Sequence, residues 1–328
     1  MCRNGLICYG CCVISKKPSR IHDRKERSLI LTTALITGIN GFTGQYLAEE
    51  LRTAGYNVFG LGATDVVQTE SSINYQCNLL DREELGDIVT QVKPDVVVHL
   101  AAIAYVAHDD VDAIYRTNVV GTRNLLEAIT KSKHTPRSVL LASSANIYGN
   151  SLIEPIDEMI SAAPANDYAV SKLSMEYMAR LWVDQLPITV VRPFNYTGVG
   201  QSVNFLIPKI VDHFKRRAPI LELGNLDVVR DFSDVRSVVQ RYRLLLESKT
   251  QGEVFNVCSG QGHSLLDVLQ IMREVSGHDP EIKVNPAFVR ANDVHRLVGS
   301  NAKLDNVIGK VPAIPLKNTL EWMFNHTL

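Results

Sequence analysis

The chain has 328 residues, of which 45% are hydrophobic and 21% charged, and its formal net charge is -1. That length suits one large domain or two fused ones, and the even charge balance excludes the basic surplus of a nucleic-acid binder. No apolar run approaches the ~20 residues that span a bilayer, so no membrane partner is expected.

Residues 1–28 are expected to be a disordered extension, or the product of a start codon assigned too early. Their apolar stretch, Leu6–Ile14, is broken by Gly10, preceded only by Arg3 and followed by Lys16, Lys17 and Arg20. A secretory signal has its charge in front and small residues behind. Four of the six cysteines (Cys2, Cys8, Cys11 and Cys12) lie here. Cys8-x-x-Cys11-Cys12 reads either as half of a metal site or as unstructured thiols; no Cys/His pair follows at zinc-finger spacing, so no metal is expected. Cys77 and Cys258 fall in apparent strands as small buried hydrophobes, and a reduced, cytoplasmic setting fits best.

From Leu29 onward short apolar runs alternate with stretches of helical period. The first run, Leu31–Thr37, leads into Gly38-Ile39-Asn40-Gly41-Phe42-Thr43-Gly44 and a helix, Thr43–Ala54. Glycines between a first strand and a first helix allow a tight turn, a close backbone approach to a diphosphate, and close helix packing. The helix start adds partial positive charge. A dinucleotide is expected there.

The second strand, Tyr56–Leu61, ends Phe59-Gly60-Leu61-Gly62-Ala63, without the carboxylate that usually binds the NAD ribose; Asp65 comes later. Without that carboxylate a 2′-phosphate meets no repulsion, so NADPH is expected, with NADH as the alternative. Next come a helix over Asp81–Gln91, a strand over Asp95–Leu100, a helix over Val111–Lys131 and a strand over Ser138–Ser143. Ser144 follows at that strand's end, where a parallel sheet opens its ligand crevice.

Tyr168-Ala-Val-Ser-Lys172 opens the helix Tyr168–Gln185. Its phenol and ammonium share a face at i and i+4. A nearby Lys⁺ is expected to pull the phenol's pKa down, letting Tyr168 exchange a proton with a sugar oxygen while Ser144 holds it.

Strands over Ile188–Arg192 and Val254–Val257 complete the pattern. They are rich in Val, Ile and Leu without strict alternation, which implies a doubly wound parallel α/β sheet of Rossmann type covered on both faces. After Arg192 the rhythm changes: one helix, Phe205–Arg217, and no clear new parallel strand before Asn225, then helical and irregular sequence from Ser264. We therefore expect a dinucleotide-binding domain over 29–194 and 226–260, and a smaller interleaved lobe over 195–225 and 261–328 that binds the substrate.

These motifs make the chain resemble the extended short-chain dehydrogenase/reductase family. Further matches are His99-Leu100-Ala101-Ala102, Asn118-Val-Val-Gly121-Thr122, Arg192-Pro193-Phe194-Asn195, Arg230-Asp231-Phe232 and Arg290-x-x-Asp293. The resemblance implies that Ser144, Tyr168 and Lys172 are catalytic. It implies cofactor contacts at Gly38, Asn40, Gly41, Phe42, Thr43, Gly44, Asn78, Leu79, Leu100, Ala101, Ala102, Asn118, Tyr168, Lys172 and Arg192. It implies substrate contacts at Ser143, Asn146, Asn195, Arg230, Arg290 and Asp293, the arginines offering forked donors to a diphosphate.

Two departures stand out: Asn78-Leu79 where the family commonly has Asp-Leu near the adenine, and Lys310 after Gly309 where a Trp is common. The phrases Val191–Gln201, Val229–Val235, Asn256–Gln261 and Gly299–Leu304 are most similar to the branch that reduces the 4-ketone of a GDP-linked deoxyketosugar. The family's dehydratases carry an acid after the catalytic Ser or Thr, where this chain has Ala145 and Asn146, neither of which ionises. A 4-epimerase that keeps NAD, and a non-catalytic NADPH-binding partner protein, remain as alternatives. A homodimer through the helices over 111–131 and 168–185 is also implied.

Overall fold

The computed structural model describes residues 32–64, 73–104, 110–288 and 294–326. The expectations for residues 1–28, Asp65, Arg290 and Asp293 lie outside the described residues.

The first half of the chain carries β1 (Thr33–Thr37), α1 (Phe42–Thr53), β2 (Asn57–Gly62), β3 (Ile73–Gln76), α2 (Arg82–Val92) and β4 (Val96–His99). It continues with α3 (Val111–Tyr115), α4 (Thr122–Lys131), β5 (Ser138–Ala142), α5 (Asp167–Arg180) and β6 (Ile188–Pro193). Then come β7 (Asn195–Thr197), α6 (Leu206–Lys215), β8 (Ile220–Leu223), β9 (Val229–Asp234), α7 (Val235–Leu246) and β10 (Val254–Val257). The last elements are β11 (Gly262–Ser264), α8 (Leu265–Ser276), β12 (Glu281–Val284), β13 (Arg296–Leu297), α9 (Ala302–Ile308) and α10 (Leu316–Asn325).

Seven strands form one parallel sheet in the order β10-β6-β5-β4-β1-β2-β3. The central strands lack polar alternation because both faces are covered. Ala34, Ile36, Val96, Val98 and Leu140 enter a core shared with α1 and α7. Their neighbours Leu35, Val97, Val139 and Leu141 point the other way, into a core shared with α2, α4 and α5. The strand order reverses between β1 and β4, and that switch opens a crevice at their C-terminal ends. This is the doubly wound Rossmann-type α/β fold.

Several details differ from the sequence expectation. Strand β3 was not foreseen: it is four residues long, lies at the sheet edge, and shows too little pattern. The helix expected over Val111–Lys131 is interrupted by a π-helical turn, Arg116–Gly121. Where no new parallel strand was expected there are two. β7 pairs with β9 in a four-stranded sheet that also holds β11 and β13, and β8 pairs with β12. Strands of three or four residues leave almost no periodic trace. α6, α8 and α10 pack a third core against β8 and β9 through Phe214, Leu221, Phe232, Leu269 and Leu320. Among the described residues no helix is long and apolar enough to cross a membrane.

Candidate active site

The glycine turn sits at the switch point. Gly38 has φ +75°, and its amide donates to the Leu61 carbonyl at 2.7 Å. A Cβ there would lie 2.8 Å from the Ala101 nitrogen, so the missing side chain lets Leu100 and Ala101 close over the turn. α1 starts at Gly41 with no side-chain cap and no acid in its first turn. By contrast α2, α5, α7 and α8 are capped by Asp81, Asn166, Asp234 and Ser264. Uncapped amides at the end of β1 suit the diphosphate of a dinucleotide. Asn40 is exposed at the turn. The Thr43 hydroxyl shares a 2.8 Å hydrogen bond with Tyr196, whose ring stacks on Phe42.

β2 ends at Gly62 with no carboxylate among its residues. Asn78 is exposed, and its Oδ1 accepts from the Leu80 amide at 3.0 Å. The Leu79 side chain is buried in the core, while its carbonyl accepts from Asn124 Nδ2.

A buried polar ladder fixes the loop after β4. His99 Nδ1 lies 2.7 Å from Thr37 Oγ1, and its Nε2 lies 2.8 Å from Thr122 Oγ1. The Ala101 amide donates to Thr37 Oγ1. Asn118 grips both sides of the Ile103 peptide, and its Nδ2 also donates to Ser171 on α5. Burial, aided by the Lys172 cation, drives the His99 pKa down to about 3. Below its ordinary value near 6.5 the unfolded chain takes up a proton that the folded site refuses, so stability falls as pH falls towards 3. This contribution is on the order of 3 kcal/mol at pH 4. His99→Gln is expected to flatten the acid side of a plot of urea-unfolding stability against pH; an unchanged slope would refute the assignment.

Ser144 follows β5 and caps a short 3-10 turn, Ala145–Tyr148, its Oγ accepting from the Asn146 amide. Its hydroxyl lies near the Tyr168 phenol and favours the phenolate. The Asn166 cap starts α5 so that Tyr168 and Lys172 lie on one buried face. Lys172 Nζ donates to the Ala142 carbonyl at 2.8 Å, and burial lowers its pKa to about 8. Tyr168 departs from expectation. Burial pushes its phenol up to about 12, against the smaller opposing effect of Ser144. The phenol is therefore protonated at neutral pH, and a buried Lys172 directed at a carbonyl does not make it a phenolate.

Two of the expected ligand residues are held by internal partners. Arg192, expected at the cofactor, donates from Nε and Nη2 to Glu176 and from Nη1 to Tyr148. Ser143, expected at the substrate, donates its buried hydroxyl to Glu176. Asn146 is half-buried on the turn after Ser144, and Asn195 is exposed at the start of β7. Arg230 donates from Nη1 to the Val229 and His295 carbonyls, beside the segment that leads out of residues 289–293. Sequence reasoning missed Glu176, although its position at i+4 from Lys172 on the same helix face was a readable signal. It also missed Tyr196, which carried no such signal.

The fold and the crevice define a dinucleotide-dependent enzyme of Rossmann type with Ser144, Tyr168 and Lys172 gathered on two neighbouring elements. The NAD dependent epimerase/dehydratase family model matches residues 34–258, and the chain belongs to that family. It is 36% identical to the GDP-6-deoxy-D-talose 4-dehydrogenase of Aggregatibacter actinomycetemcomitans, over 84% of this chain and 90% of that one. It is 33% identical to the GDP-6-deoxy-D-mannose reductase of Pseudomonas aeruginosa, over 87% and 93%. Among solved structures, one from Burkholderia cenocepacia is 48% identical with TM-score 0.85, covering 90% of this chain and 97% of that chain. The structure of RMD from Pseudomonas aeruginosa complexed with NADPH is 31% identical with TM-score 0.78, over 89% and 97%.

Proposed function

We propose that the protein reduces the C4 ketone of GDP-4-dehydro-6-deoxy-D-mannose with NADPH, giving GDP-D-rhamnose or its C4 epimer GDP-6-deoxy-D-talose. The observation that carries this is the buried Tyr168 phenol, kept protonated by burial, beside Ser144 and on one helix face with Lys172. A ketone reductase needs an acid poised at the substrate oxygen. NADPH, when bound in the glycine cradle, supplies the hydride. Tyr168 gives its proton to the C4 oxygen, Ser144 orients that oxygen, and Lys172 keeps positive charge nearby. Buried Ala145 and half-buried Asn146 leave no second acid–base group for dehydration. Residues 195–225 and 261–328 form the nucleotide-sugar side, and Arg230, from β9 beside β7, joins Arg290 and Asp293 in serving the diphosphate and sugar. The free, buried thiols of Cys77 and Cys258 suit a reduced cytoplasm.

The test is oxidation of NADPH and of NADH by freshly made GDP-4-dehydro-6-deoxy-D-mannose, followed by loss of nicotinamide absorbance. Turnover with NMR of the product separates rhamnose from talose. Absence of turnover, with NAD released on denaturing the purified protein, moves the assignment to a 4-epimerase. The working unit is a homodimer. Val111, Val120, Tyr177 and Leu181 expose apolar surface along α3, the π turn and α5, as an interface between copies requires. Light scattering at micromolar concentration is expected to give twice the chain mass; a monomer alone would refute it.

A further inference from the structure

Ser143 and Arg192 converge on one carboxylate. Glu176 lies one turn beyond Lys172 and two beyond Tyr168 on the same face of α5. Its Oε1 accepts from Ser143 Oγ at 2.5 Å and from Arg192 Nε at 2.9 Å, and its Oε2 from Arg192 Nη2 at 2.7 Å. Arg192 Nη1 donates to the Tyr148 hydroxyl at 2.8 Å, Tyr148 donates to Asn256 Oδ1 at 2.7 Å, and Asn256 Nδ2 donates to the Ile156 carbonyl at 3.0 Å. Ser143, Glu176, Arg192, Tyr148 and Asn256 are each 7% exposed or less.

We propose that Glu176 is a positioning residue, which sets the spacing between Ser144 and the Tyr168–Lys172 face of α5. The proposal rests on the reductase reading above. Ser143 immediately precedes Ser144, and Tyr148 ends the turn that Ser144 caps. Both ends of the serine-bearing segment are thus tied to Glu176, directly or through Arg192. Glu176 itself rides on the helix that carries the phenol and the amine. A buried ion pair gives little net stability, and an apolar pair of equal volume is often at least as stable. What the pair supplies is direction: a two-pronged guanidinium–carboxylate contact has one geometry. The titratable and charged groups around this carboxylate are Lys172 and Arg180 on its own helix, Arg192 from β6, Tyr148 from the turn and, across a small cavity, Glu253, with Glu158 acting on Tyr148. The carboxylate also favours the Lys172 cation against the cost of burying it.

Three variants of the full chain test this. Ser143→Ala removes one donor, Glu176→Gln keeps the shape without the charge, and Glu176→Met with Arg192→Met replaces the pair by apolar volume. A displaced catalytic group costs about 10²-fold, so Glu176→Gln and the double variant are expected to lose about that much kcat with little change in KM for NADPH. Ser143→Ala is expected to lose about fivefold, the worth of one hydrogen bond. The Lys172 amine, followed by ¹³C NMR in lysine-labelled protein and assigned by its loss in Lys172→Met, is expected to titrate at lower pH in Glu176→Gln. Wild-type kcat in Ser143→Ala and the double variant, with an unmoved Lys172 titration, overturns the proposal. If the charged-pair variants do not fold, Ser143→Ala decides it. If the wild type reduces no ketosugar, the functional reading fails separately, and an unmoved Lys172 titration still overturns the role of Glu176.

Discussion

Tyr168→Phe is expected to fold, to bind NADPH as the wild type does, and to lose roughly 10²–10⁴-fold in kcat, the usual worth of a positioned acid. The phenyl ring keeps the packing of a side chain that is 8% exposed. Only the hydroxyl and its proton are lost. The wild-type pH profile carries a second signature. Tyr168, pushed up to about 12, stays protonated across the neutral range. Lys172, brought down to about 8, does not. The rate of ketone reduction is therefore expected to hold at neutral pH and to fall above about 8, as the lysine loses its charge before the tyrosine loses its proton. Single-turnover kinetics give the rate, and quenching of protein fluorescence gives cofactor affinity. Full turnover in Tyr168→Phe would remove the proton-transfer role assigned here.

Gly44→Ala is the second large effect. A Cβ at Gly44 would overlap the Gly38 carbonyl oxygen and lie 2.8 Å from the Ile39 carbonyl oxygen. Both obstacles are backbone, so neither moves aside as a side chain would. α1 has to shift away from the turn and take its uncapped amides with it. Overpacking of this kind costs about 1–3 kcal/mol. The loss of aligned donors is expected to weaken NADPH binding by on the order of 10²-fold, the worth of two or more charge-assisted bonds. Gly86→Ala is the matched control. Nothing lies within 4 Å of the added carbon, and Gly86 sits inside α2, where alanine is preferred by about 1 kcal/mol. The same chemical change is thus expected to stabilise at one position and weaken binding at the other, as calorimetry and cofactor titration would report. Unaltered NADPH affinity in Gly44→Ala would mean that the cradle lies elsewhere.

The parts of the molecule legible in the sequence are those written by local spacing. Gly38, Gly41 and Gly44 announce a turn because their intervals are fixed within one strand–turn–helix unit. Tyr168 and Lys172 announce a shared face because a helix repeats. The central strands were legible because burial on both sides leaves unbroken apolar runs. The partners of Arg192 were not, because Glu176 and Tyr148 come from two separate stretches of chain that only the folded sheet brings beside it. The same holds for Tyr196, which meets Thr43 across 153 residues. The direction of the Tyr168 shift was misjudged for a related reason. Spacing reveals a neighbouring lysine but not how deeply the phenol is buried, nor that the lysine spends a proton on the Ala142 carbonyl.

The position of β10 in the sheet has a consequence during synthesis. β6 is complete at Pro193, yet the strand that covers its outer edge begins at Val254. For the time it takes to make the intervening segment, a growing chain displays β6 as an open edge of bare amides and carbonyls, flanked by Val190 and Val191. Such edges recruit strands from other molecules. The last sheet strand also brings Asn256, which ends the polar chain that starts at Glu176. A chain cut short before Val254 would thus be both sticky and catalytically loose, and newly made protein passes through that vulnerable stage each time it is translated.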